Sequence, residues 1–480
     1  MGEPGQFVGP DRPGWGQWPR GLHRPWAAST TQVEYMDKLD NAHPEGVRVG
    51  PFPGNRSGRR SFSTRRGWVG GLLLVCSAVL VGCGEGPDRV EDLPLVHELA
   101  SPAGPGSGES NLAPDHDGGA WMSWLEPGSE RDHALRIARF HEGVWTPART
   151  VVERDSFFVN WADFPSVIPV HPDLLVAHWL HRGPMGGFDY SVRIAHSRDD
   201  GESWSEEWIP HEDGTNTEHG FVSIFPWGSD EVAAIWLDGR DYARFEEEGG
   251  GEGGADPPEM ALRFRSFHPE RGPGAKEVID SRVCDCCQTT VALPGNGPVV
   301  AYRDRTEGEV RDISVARHDG EGWSTPRPVY DDGWEIPACP VNGPASDALG
   351  DLVVLAWFSA ADDRPVVRVA FSRDGGATFG DPVRVDGGDP AGRVQVRFVD
   401  GEDVAVSWLE RVSGAGEIHL RRVGLDGRRG RTFRVASTED SRASGFPRMV
   451  ALPGNTLLFS WTDPSGEGLV RTAQAEVPSW

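Results

Sequence analysis

Short apolar runs separated by turn residues fill residues 93–480, and many of them end in an aromatic side chain. These aromatics are Trp124, Trp179, Trp236, Tyr302, Trp357, Trp408 and Trp461. Neighbours in the series are 51 to 57 residues apart, except for a gap of 66 between Trp236 and Tyr302. An acidic, glycine-rich stretch from Glu246 to Glu259 explains the longer gap and predicts a surface loop. A spacing this regular predicts a chain built of repeated units.

Each unit shows the same order of four short strands. Examples of the first to fourth strands are residues 164–170, 352–357, 366–371 and 382–385. We therefore expect an all-β fold, a seven-bladed β-propeller of four-stranded antiparallel blades. Six blades is the alternative, if one unit is degenerate. Residues 93–99 form a strand ahead of the first unit, and we expect it to close the last blade by covering its open edge.

Composition and charge narrow the possible partners. The 62 glycines and 39 prolines suit many tight turns, and 19 tryptophans against 5 tyrosines suit a tryptophan that recurs in each unit. The formal net charge of −26 argues against a nucleic-acid binder and against a folded body that binds anionic lipid, because both need a basic surface. We expect a monomer with no nucleic-acid partner.

The first 83 residues are interpreted as an N-terminal extension followed by an export signal. Residues 1–66 lack sustained apolar periodicity and are expected to be disordered, whereas residues 67–83 resemble a signal peptide, with an apolar run that follows Arg65 and Arg66. The run ends in Leu80-Val81-Gly82-Cys83, which resembles a lipobox and predicts lipidation of Cys83. A single anchoring helix is the alternative. Residues 84–92 are then a linker, and 93–480 are the propeller.

The expected location is the bacterial cell envelope, with the lipid as the only membrane contact. Export by the Sec route or, because Arg59-Arg60 resembles a twin-arginine signal, by the Tat route would both suit this address. Translation from Met36 would give a leader of more ordinary length.

Two turns between third and fourth strands resemble the Asp-box of sialidase-like (BNR-repeat) propellers. They are Ser197-Arg198-Asp199-Asp200-Gly201-Glu202-Ser203-Trp204 and Ser372-Arg373-Asp374-Gly375-Gly376-Ala377-Thr378-Phe379. Degraded copies occur at residues 141–145 and 318–323. In such a turn the aspartate caps backbone N–H groups, glycine adopts a positive φ, and the aromatic packs between sheets. The resemblance implies a propeller fold, and in that family these boxes lie away from the active face.

Charged residues gather where first strands begin and second strands end, on the propeller face that usually binds ligands. The candidates for catalysis are Asp238, Asp304 and Glu410. The candidates for ligand binding are Arg240, Arg303, Arg311, Arg393, Asp163 and His219, and Arg448 belongs to the same rim. Clustered guanidiniums bind carboxylates bidentately, which favours an acidic ligand. The alternative is that these side chains are solvated or paired across neighbouring blades.

The sialidase resemblance implies three arginines that grip a substrate carboxylate, a tyrosine nucleophile assisted by a glutamate, and an aspartate acid/base. This chain departs from that pattern: its first unit begins Glu109-Ser110-Asn111-Leu112, with no Arg-Ile-Pro-like segment, and its last tyrosine is Tyr330. We therefore expect binding of a carbohydrate or other polar or acidic ligand. Hydrolysis of the exo-sialidase type is the alternative.

The cysteines of the predicted folded body fall at the beginnings of two neighbouring units. They are Cys284, Cys286, Cys287 and Cys339. One hypothesis is two disulfides, with Cys286 or Cys287 bonded to Cys339, since a bridge between adjacent cysteines would be strained. The other is a thiolate site for Cu(I) or Zn(II), with His219 as a further ligand, in a metal-binding or redox protein.

Overall fold

The structure, a computed structural model, describes residues 90–93, 96–249, 258–399, 401–477 and 480. The expected disordered extension, the signal segment with Cys83 and most of the linker lie outside these residues. No helix in the described ranges is long and apolar enough to cross a membrane.

The described residues form seven sheets, one for each predicted blade. The strands before and in blades 1 to 3 are β1 Glu91–Asp92, β2 Val96–Leu99, β3 Gly108–Pro114, β4 Ala120–Pro127, β5 His133–His141, β6 Val144–Trp145, β7 Arg149–Arg154, β8 Ser166–His171, β9 Leu174–Arg182, β10 Tyr190–Ser197, β11 His219–Trp227, β12 Glu231–Asp238, β13 Met260–His268 and β14 Gly272–Val283. Blades 4 and 5 contain β15 Thr290–Ala292, β16 Val299–Arg303, β17 Ile313–Arg317, β18 Arg327–Pro328, β19 Ala345–Leu349, β20 Leu352–Ser359, β21 Val366–Ser372 and β22 Val383–Arg384. Blades 6 and 7 contain β23 Pro390–Val399, β24 Asp403–Val412, β25 Ala415–Val423, β26 Arg429–Thr438, β27 Arg448–Leu452, β28 Thr456–Asp463 and β29 Leu469–Glu476.

The blades are antiparallel, as predicted, and most have four strands. Blade 2 has three named strands, and an isolated pair of hydrogen bonds between Ile194 and Trp208 stands at the place of the fourth. The helices are α1 Arg240–Glu247 and the short 3₁₀ segments Ala361–Asp363 and Arg442–Ser444. Helix α1 precedes the stretch Glu246 to Glu259 that the sequence predicted to be a loop, and ends two residues into it.

The seven sheets close into a ring. The first strands of successive blades contact one another in the order β3, β8, β11, β15, β19, β23 and β27, and β27 contacts β3 again. Val96–Leu99 pairs antiparallel with β29, so the N-terminal strand completes blade 7 as predicted. Glu91–Asp92, placed in the expected linker, pairs parallel with β26 of blade 6. The N-terminal segment therefore joins two neighbouring blades.

The second strand of each blade lies between two strands of its own sheet and is covered on both faces. Its residues are almost continuously buried, as in β20, where every residue after Leu352 is buried. The recurring aromatics of the sequence lie one to four residues before the ends of these strands and are at most 3% exposed. The repeat spacing therefore reflects a large ring placed at the same point of each blade, where it fills space that smaller side chains would leave empty.

The two predicted Asp-box turns share one pattern of hydrogen bonds. In the second turn, Asp374 Oδ1 accepts from the Thr378 backbone N–H at 2.8 Å, and Asp374 Oδ2 accepts from the Thr378 hydroxyl at 2.7 Å. The Ser372 hydroxyl donates to the same carboxylate and accepts from the Gly376 N–H at 2.8 Å. Gly376 has φ +79°, and a Cβ there would lie 2.7 Å from Val299 Cγ2 of the neighbouring blade. This glycine therefore allows both the turn and the close contact between blades.

Candidate functional site

The ring places the predicted site residues on one face, where first strands begin and second strands end. We call it the top face. His219, at the start of β11, pairs across the sheet with Asp238 at the end of β12. Pro390 and Glu410 form the equivalent pair in blade 6. The shared face was therefore predictable from the strand order, but the contacts made by each side chain were not.

The candidate catalytic carboxylates each bind groups of their own blade. Asp238 accepts from the Trp236 indole at 2.6 Å, and Glu410 accepts from the Trp408 indole at 2.6 Å. Both acids follow the recurring tryptophan by two residues, so the two side chains share a face of the strand. Asp304 lacks an indole neighbour and accepts from the Ser314 hydroxyl at 2.9 Å. In this arrangement two of the three acids satisfy a buried indole N–H.

The three acids differ in whether a neighbouring positive charge compensates their negative charge. Burial alone would raise the pKa of Asp238, but hydrogen bonds and charge from Arg240 outweigh it and lower that pKa. Arg240 is bidentate, with its Nε and Nη2 at 2.7 and 2.6 Å from the carboxylate. Burial raises the pKa of both Asp304 and Glu410.

The candidate arginines are held by the protein itself. Arg303 is 2% exposed and donates to the carbonyls of Asn342 and Phe358 at 2.7 to 2.9 Å, as well as to that of Arg311. Arg311 donates to Glu309 Oε2 at 2.8 Å and to Cys284 Sγ at 3.3 Å. These donors are directed at internal groups, so the two guanidiniums contribute to the blade 4 framework in this structure.

Arg393, near the start of β23, is packed against aromatic rings on the top face. Its guanidinium lies 5.0 Å from the Trp161 ring and 5.6 Å from the Phe446 ring, and the two rings stack on each other. It donates to Ser444 Oγ and to the Gly445 carbonyl, both at 2.7 Å. This aromatic layer joins residues that precede or begin the first strands of blades 2, 6 and 7.

His219 belongs to a second cluster with His211 and Asp213. The two imidazoles stack with centroids 3.8 Å apart, and Asp213 Oδ2 lies 3.0 Å from His219 Nε2. The ligand atoms of these three residues lie within 4.8 Å of one another, which a metal ion could bridge. Arg240 already pairs with Asp213 at 2.9 Å and supplies the counter-charge. Asp213 is thus paired with His219 and Arg240, whereas both ring nitrogens of His211 lack a hydrogen-bond partner among the described residues.

A carboxyl pair that the sequence did not reveal lies between blades 2 and 3. The Tyr190 hydroxyl lies 2.7 Å from Glu218 Oε1 and 3.2 Å from Asp163 Oδ2, which places the two carboxyls no more than about 6 Å apart. Asp163 Oδ1 accepts from the Phe221 N–H at 2.8 Å. A Cβ at Gly220 would lie 1.9 Å from Asp163 Oδ2, so a glycine is needed for this approach.

Burial sets the protonation of this pair. It raises the pKa of Asp163 to about 7, and it raises the pKa of Glu218 to about 8 with further contributions from neighbouring acidic groups. Both carboxyls are therefore substantially protonated near neutral pH. A protonated carboxyl both donates and accepts hydrogen bonds, as a sugar hydroxyl does. Asp163 was a candidate from its position, whereas Glu218 and Tyr190 were missed because nothing local distinguishes them from strand-end and core residues.

A cavity of about 590 Å³ runs along the first strands below the aromatic layer. Hydroxyl and amide side chains from six blades line it: Asn111, Ser166, Ser223, Thr290, Ser346 and Gln395. Asp163 lines it as well. Its far end is lined by Pro114, His116 and Leu293, which are exposed. The cavity therefore reaches the surface on the side opposite the top face.

Several buried polar atoms of this cavity have no hydrogen-bond partner among the described residues. They are Asn111 Oδ1, His178 Nε2, Gln395 Oε1 and Arg448 Nε. Arg448 has no ion pair in the described ranges either, and its guanidinium lies 5.1 Å from the Phe164 ring. Burial and the nearby charge of Arg397 lower the pKa of Arg448. These four atoms line one space in which water or a ligand can satisfy them.

Comparisons with known proteins concern the fold. No protein-family model matches the chain, and no curated protein matches its sequence. Among solved structures, a protein of unknown function from Dyadobacter fermentans is 13% identical, with a TM-score of 0.43 over 80% of this chain and 100% of that one. The α-L-arabinanase of Penicillium chrysogenum in complex with arabinobiose is 12% identical, with a TM-score of 0.44 over 80% and 99%. The Hadza microbial sialidase Hz136 is 16% identical, with a TM-score of 0.38 over 63% of each chain.

Proposed function

We propose that this protein binds an acidic carbohydrate, or a similarly polar small molecule with a carboxylate, in its central cavity. The observation that carries the proposal is Arg448, a half-buried arginine with a buried Nε, which lines the cavity without a hydrogen-bond or ion-pair partner among the described residues. A charge that is partly withdrawn from water and uncompensated is costly, and a ligand carboxylate would compensate it. Arg397 lines the same cavity, where the charge of Asp347 partly balances it.

The rest of the cavity suits a polyhydroxylated molecule. Hydroxyls, amides and a protonated Asp163 offer both donors and acceptors around its wall. The volume of about 590 Å³ falls in the usual range of small-molecule sites, roughly 300–1,000 Å³. A sugar acid would therefore pair its charge with Arg448 and its hydroxyls with the remaining wall.

A second candidate function is hydrolysis of a glycosidic bond. The specific observation is the pair of Asp163 and Glu218, which share the Tyr190 hydroxyl and of which Asp163 lines the cavity. A carboxyl held protonated near neutral pH can serve as a general acid, and a carboxylate about 5–10 Å away can serve as nucleophile or base. Tyr190 itself is fully buried and its pKa is raised, so it is a poor nucleophile.

The binding proposal is tested with full-length protein on an array of neutral and carboxylate-bearing oligosaccharides. Carboxylate-bearing glycans should bind, and Arg448→Met should weaken that binding about 30-fold or more, because truncating one member of a buried charge pair costs about 2–5 kcal/mol. Without ligand, Arg448→Met should melt at the same temperature as the wild type or higher, since it removes an unpaired buried charge. Arg198→Met, on an exposed turn, serves as the control and should change neither property.

Two results would contradict the proposal. Equal binding of neutral and acidic glycans would remove the role of the guanidinium, and a large loss of stability in Arg448→Met would show that the side chain is structural. For hydrolysis, the same glycans are supplied as chromogenic glycosides. Turnover that Glu218→Gln abolishes while binding remains would establish the enzyme, and no turnover with any glycoside would exclude it for those substrates.

We also propose that the chain is exported and anchored by a lipid on Cys83. The support is the sequence alone: an apolar run after paired arginines, ending at a cysteine. Labelled fatty acid should be incorporated into the wild type but not into Cys83→Ala, and only the wild type should sediment with membranes. Sedimentation of both proteins would favour the uncleaved anchoring helix instead.

A further inference from the structure

The four cysteines of the described residues meet at the top face between blades 4 and 5. Cys284, Cys286 and Cys287 form the connection from β14 to β15, and Cys339 lies between β18 and β19. Cys284 Sγ lies 3.5 Å from Cys287 Sγ and 3.8 Å from Cys286 Sγ, and the three sulfurs are mutually within 4.8 Å. Cys339 lies beside Cys286 but outside this close group of three. The expected disulfides are not formed here, since all four are free thiols.

The spacing of the sulfurs suits a common metal ligand. Thiolates bind Zn(II) at about 2.3 Å in a tetrahedron, which places neighbouring sulfurs about 3.8 Å apart. The two sulfur separations of 3.5 and 3.8 Å are close to that value. The turn therefore brings together three soft ligands, and Cys339, at the start of the next blade, is the candidate for the fourth.

The surroundings can compensate the negative charge of such a thiolate set. Arg311 Nη1 donates to Cys284 Sγ at 3.3 Å and is held there by Glu309, so its position does not depend on the cysteines alone. Arg305 pairs with Asp285 at 3.4 Å beside the same turn. Cys284 and Cys287 are 1% and 2% exposed, so water has little access to two of the four sulfurs. The backbone of the turn is fixed by the Cys284 N–H, which donates to the Arg303 carbonyl at 3.1 Å.

We propose that Cys284, Cys286, Cys287 and Cys339 together bind one soft d¹⁰ metal ion, Cu(I) or Zn(II). The site is separate from the ligand proposed above, because none of its cysteines lines the central cavity. The cluster of His211, Asp213 and His219 is a weaker candidate, since Arg240 already compensates its carboxylate. His219 binds Asp213 there, so the structure does not make it a ligand of the cysteine site.

The test uses full-length protein, reduced and stripped of metal under anaerobic conditions, then titrated separately with Cu(I) and with Zn(II). One ion per chain should bind, and the melting temperature should rise with the ion that fits. Cys284→Ser and Cys339→Ser should each abolish stoichiometric binding at equimolar metal. Cys76→Ser, outside the described residues, is the matched control and should bind like the wild type.

Chelator competition and Co(II) substitution identify the bound ion and its ligands. Competition with a Cu(I) chelator and with a Zn(II) chelator identifies the ion, and substitution by Co(II) should give a thiolate charge-transfer band that the two serine variants lose. Should Cys284→Ser fail to fold, Cys339→Ser, whose thiol is at the edge of the cluster, still gives the answer. Reduced, folded protein that binds neither ion, or wild-type binding by both serine variants, would overturn the proposal.

Discussion

The acids of the Asp-box-like turns and those of the blade 2–3 junction have the same chemistry and opposite behaviour. Asp374 in its turn has a pKa lowered to about 2, because hydrogen bonds from Thr378 and Ser372 outweigh its slight burial. Asp163 at the junction has a pKa raised to about 7, because burial outweighs its two hydrogen bonds. Asp374 accepts three hydrogen bonds and Asp163 accepts two, and Asp163 is also shielded from water, so fewer donors and deeper burial act in the same direction.

This contrast distinguishes acids that stabilise the fold from acids that can interact with a ligand. A turn aspartate that stays ionised stabilises one loop through charge-assisted hydrogen bonds. A carboxyl that stays protonated beside a cavity is costly to keep for folding alone, and it can exchange a proton or a hydrogen bond with a ligand. The same comparison applies to arginines: Arg303 is buried and fully hydrogen-bonded, whereas Arg448 is half-buried and unpartnered in the described ranges. Substitutions and pH changes at these residues test both comparisons.

The largest effect is expected for Arg303→Ala. Removing this guanidinium leaves buried carbonyls of three residues without their donor, and the free energy of unfolding should fall by about 3–5 kcal/mol. Arg198→Ala, which breaks an exposed pair with Asp173, should change it by no more than about 0.5 kcal/mol. Urea denaturation measures both. A small effect at Arg303 would return this residue to the candidates for ligand binding.

A smaller effect is expected from pH. Asp163 and Glu218 bind protons more tightly in the folded chain than in the unfolded one, with folded pKa values of about 7 and 8. At these two sites the unfolded chain holds fewer protons, so their contribution to stability falls as pH rises. Buried histidines with a lowered pKa, such as His178 and His211, act in the opposite direction below about pH 7. A net fall in stability is therefore expected between pH 7 and pH 8, by roughly 1 kcal/mol. Urea denaturation of reduced, metal-free protein at several pH values measures the slope.

Glu218→Gln gives the matched control for that slope, because it keeps the shape of the side chain and removes its titration. The variant should lose less stability between pH 5 and pH 8 than the wild type. The turn aspartates should contribute nothing in this range, since the pKa of Asp374 is about 2 and its stabilisation is lost only as pH falls towards that value. An identical slope in both proteins would show that Glu218 is ionised throughout.

The smallest effect is expected for Asp374→Asn. The amide keeps one acceptor oxygen but loses the charge that strengthens two hydrogen bonds with Thr378, so the free energy of unfolding should fall by about 1 kcal/mol. Asp381→Asn, an exposed acid seven residues on, should leave it unchanged. Thermal melts of the two variants and the wild type provide the measurement. Equal melting temperatures would show that the turn holds without its carboxylate.

Much of the fold could be predicted because it repeats. The regular aromatics identified seven units, and residues 93–99 without a sheet of their own predicted the closing strand that Val96–Leu99 forms. Helix α1 and the parallel pairing of Glu91–Asp92 with β26 were not predicted, since each occurs once. A unique feature leaves no repeated pattern from which to recognise it.

The candidate site was harder to predict, because acids that recur for structural reasons occupy positions where catalytic acids would also be expected. Asp238 and Glu410 stand at strand ends as a catalytic acid would, yet each recurs two residues after a tryptophan and accepts from its indole. That spacing was visible in the sequence and could have suggested the structural role. The isolation of Arg448 was not visible, because it depends on which side chains from six other blades fail to reach it.

The sequence by itself determined the number of blades, the place of the closing strand, the shared face of the strand ends and the grouping of the cysteines. Each of these follows from order and periodicity along one chain. The tertiary structure alone decided which charges are compensated, which carboxyls hold protons and where the cavity lies. Those properties depend on distances and on exclusion of water between residues that are remote in sequence, and hydrogen bonds, burial and charge act only at such short range.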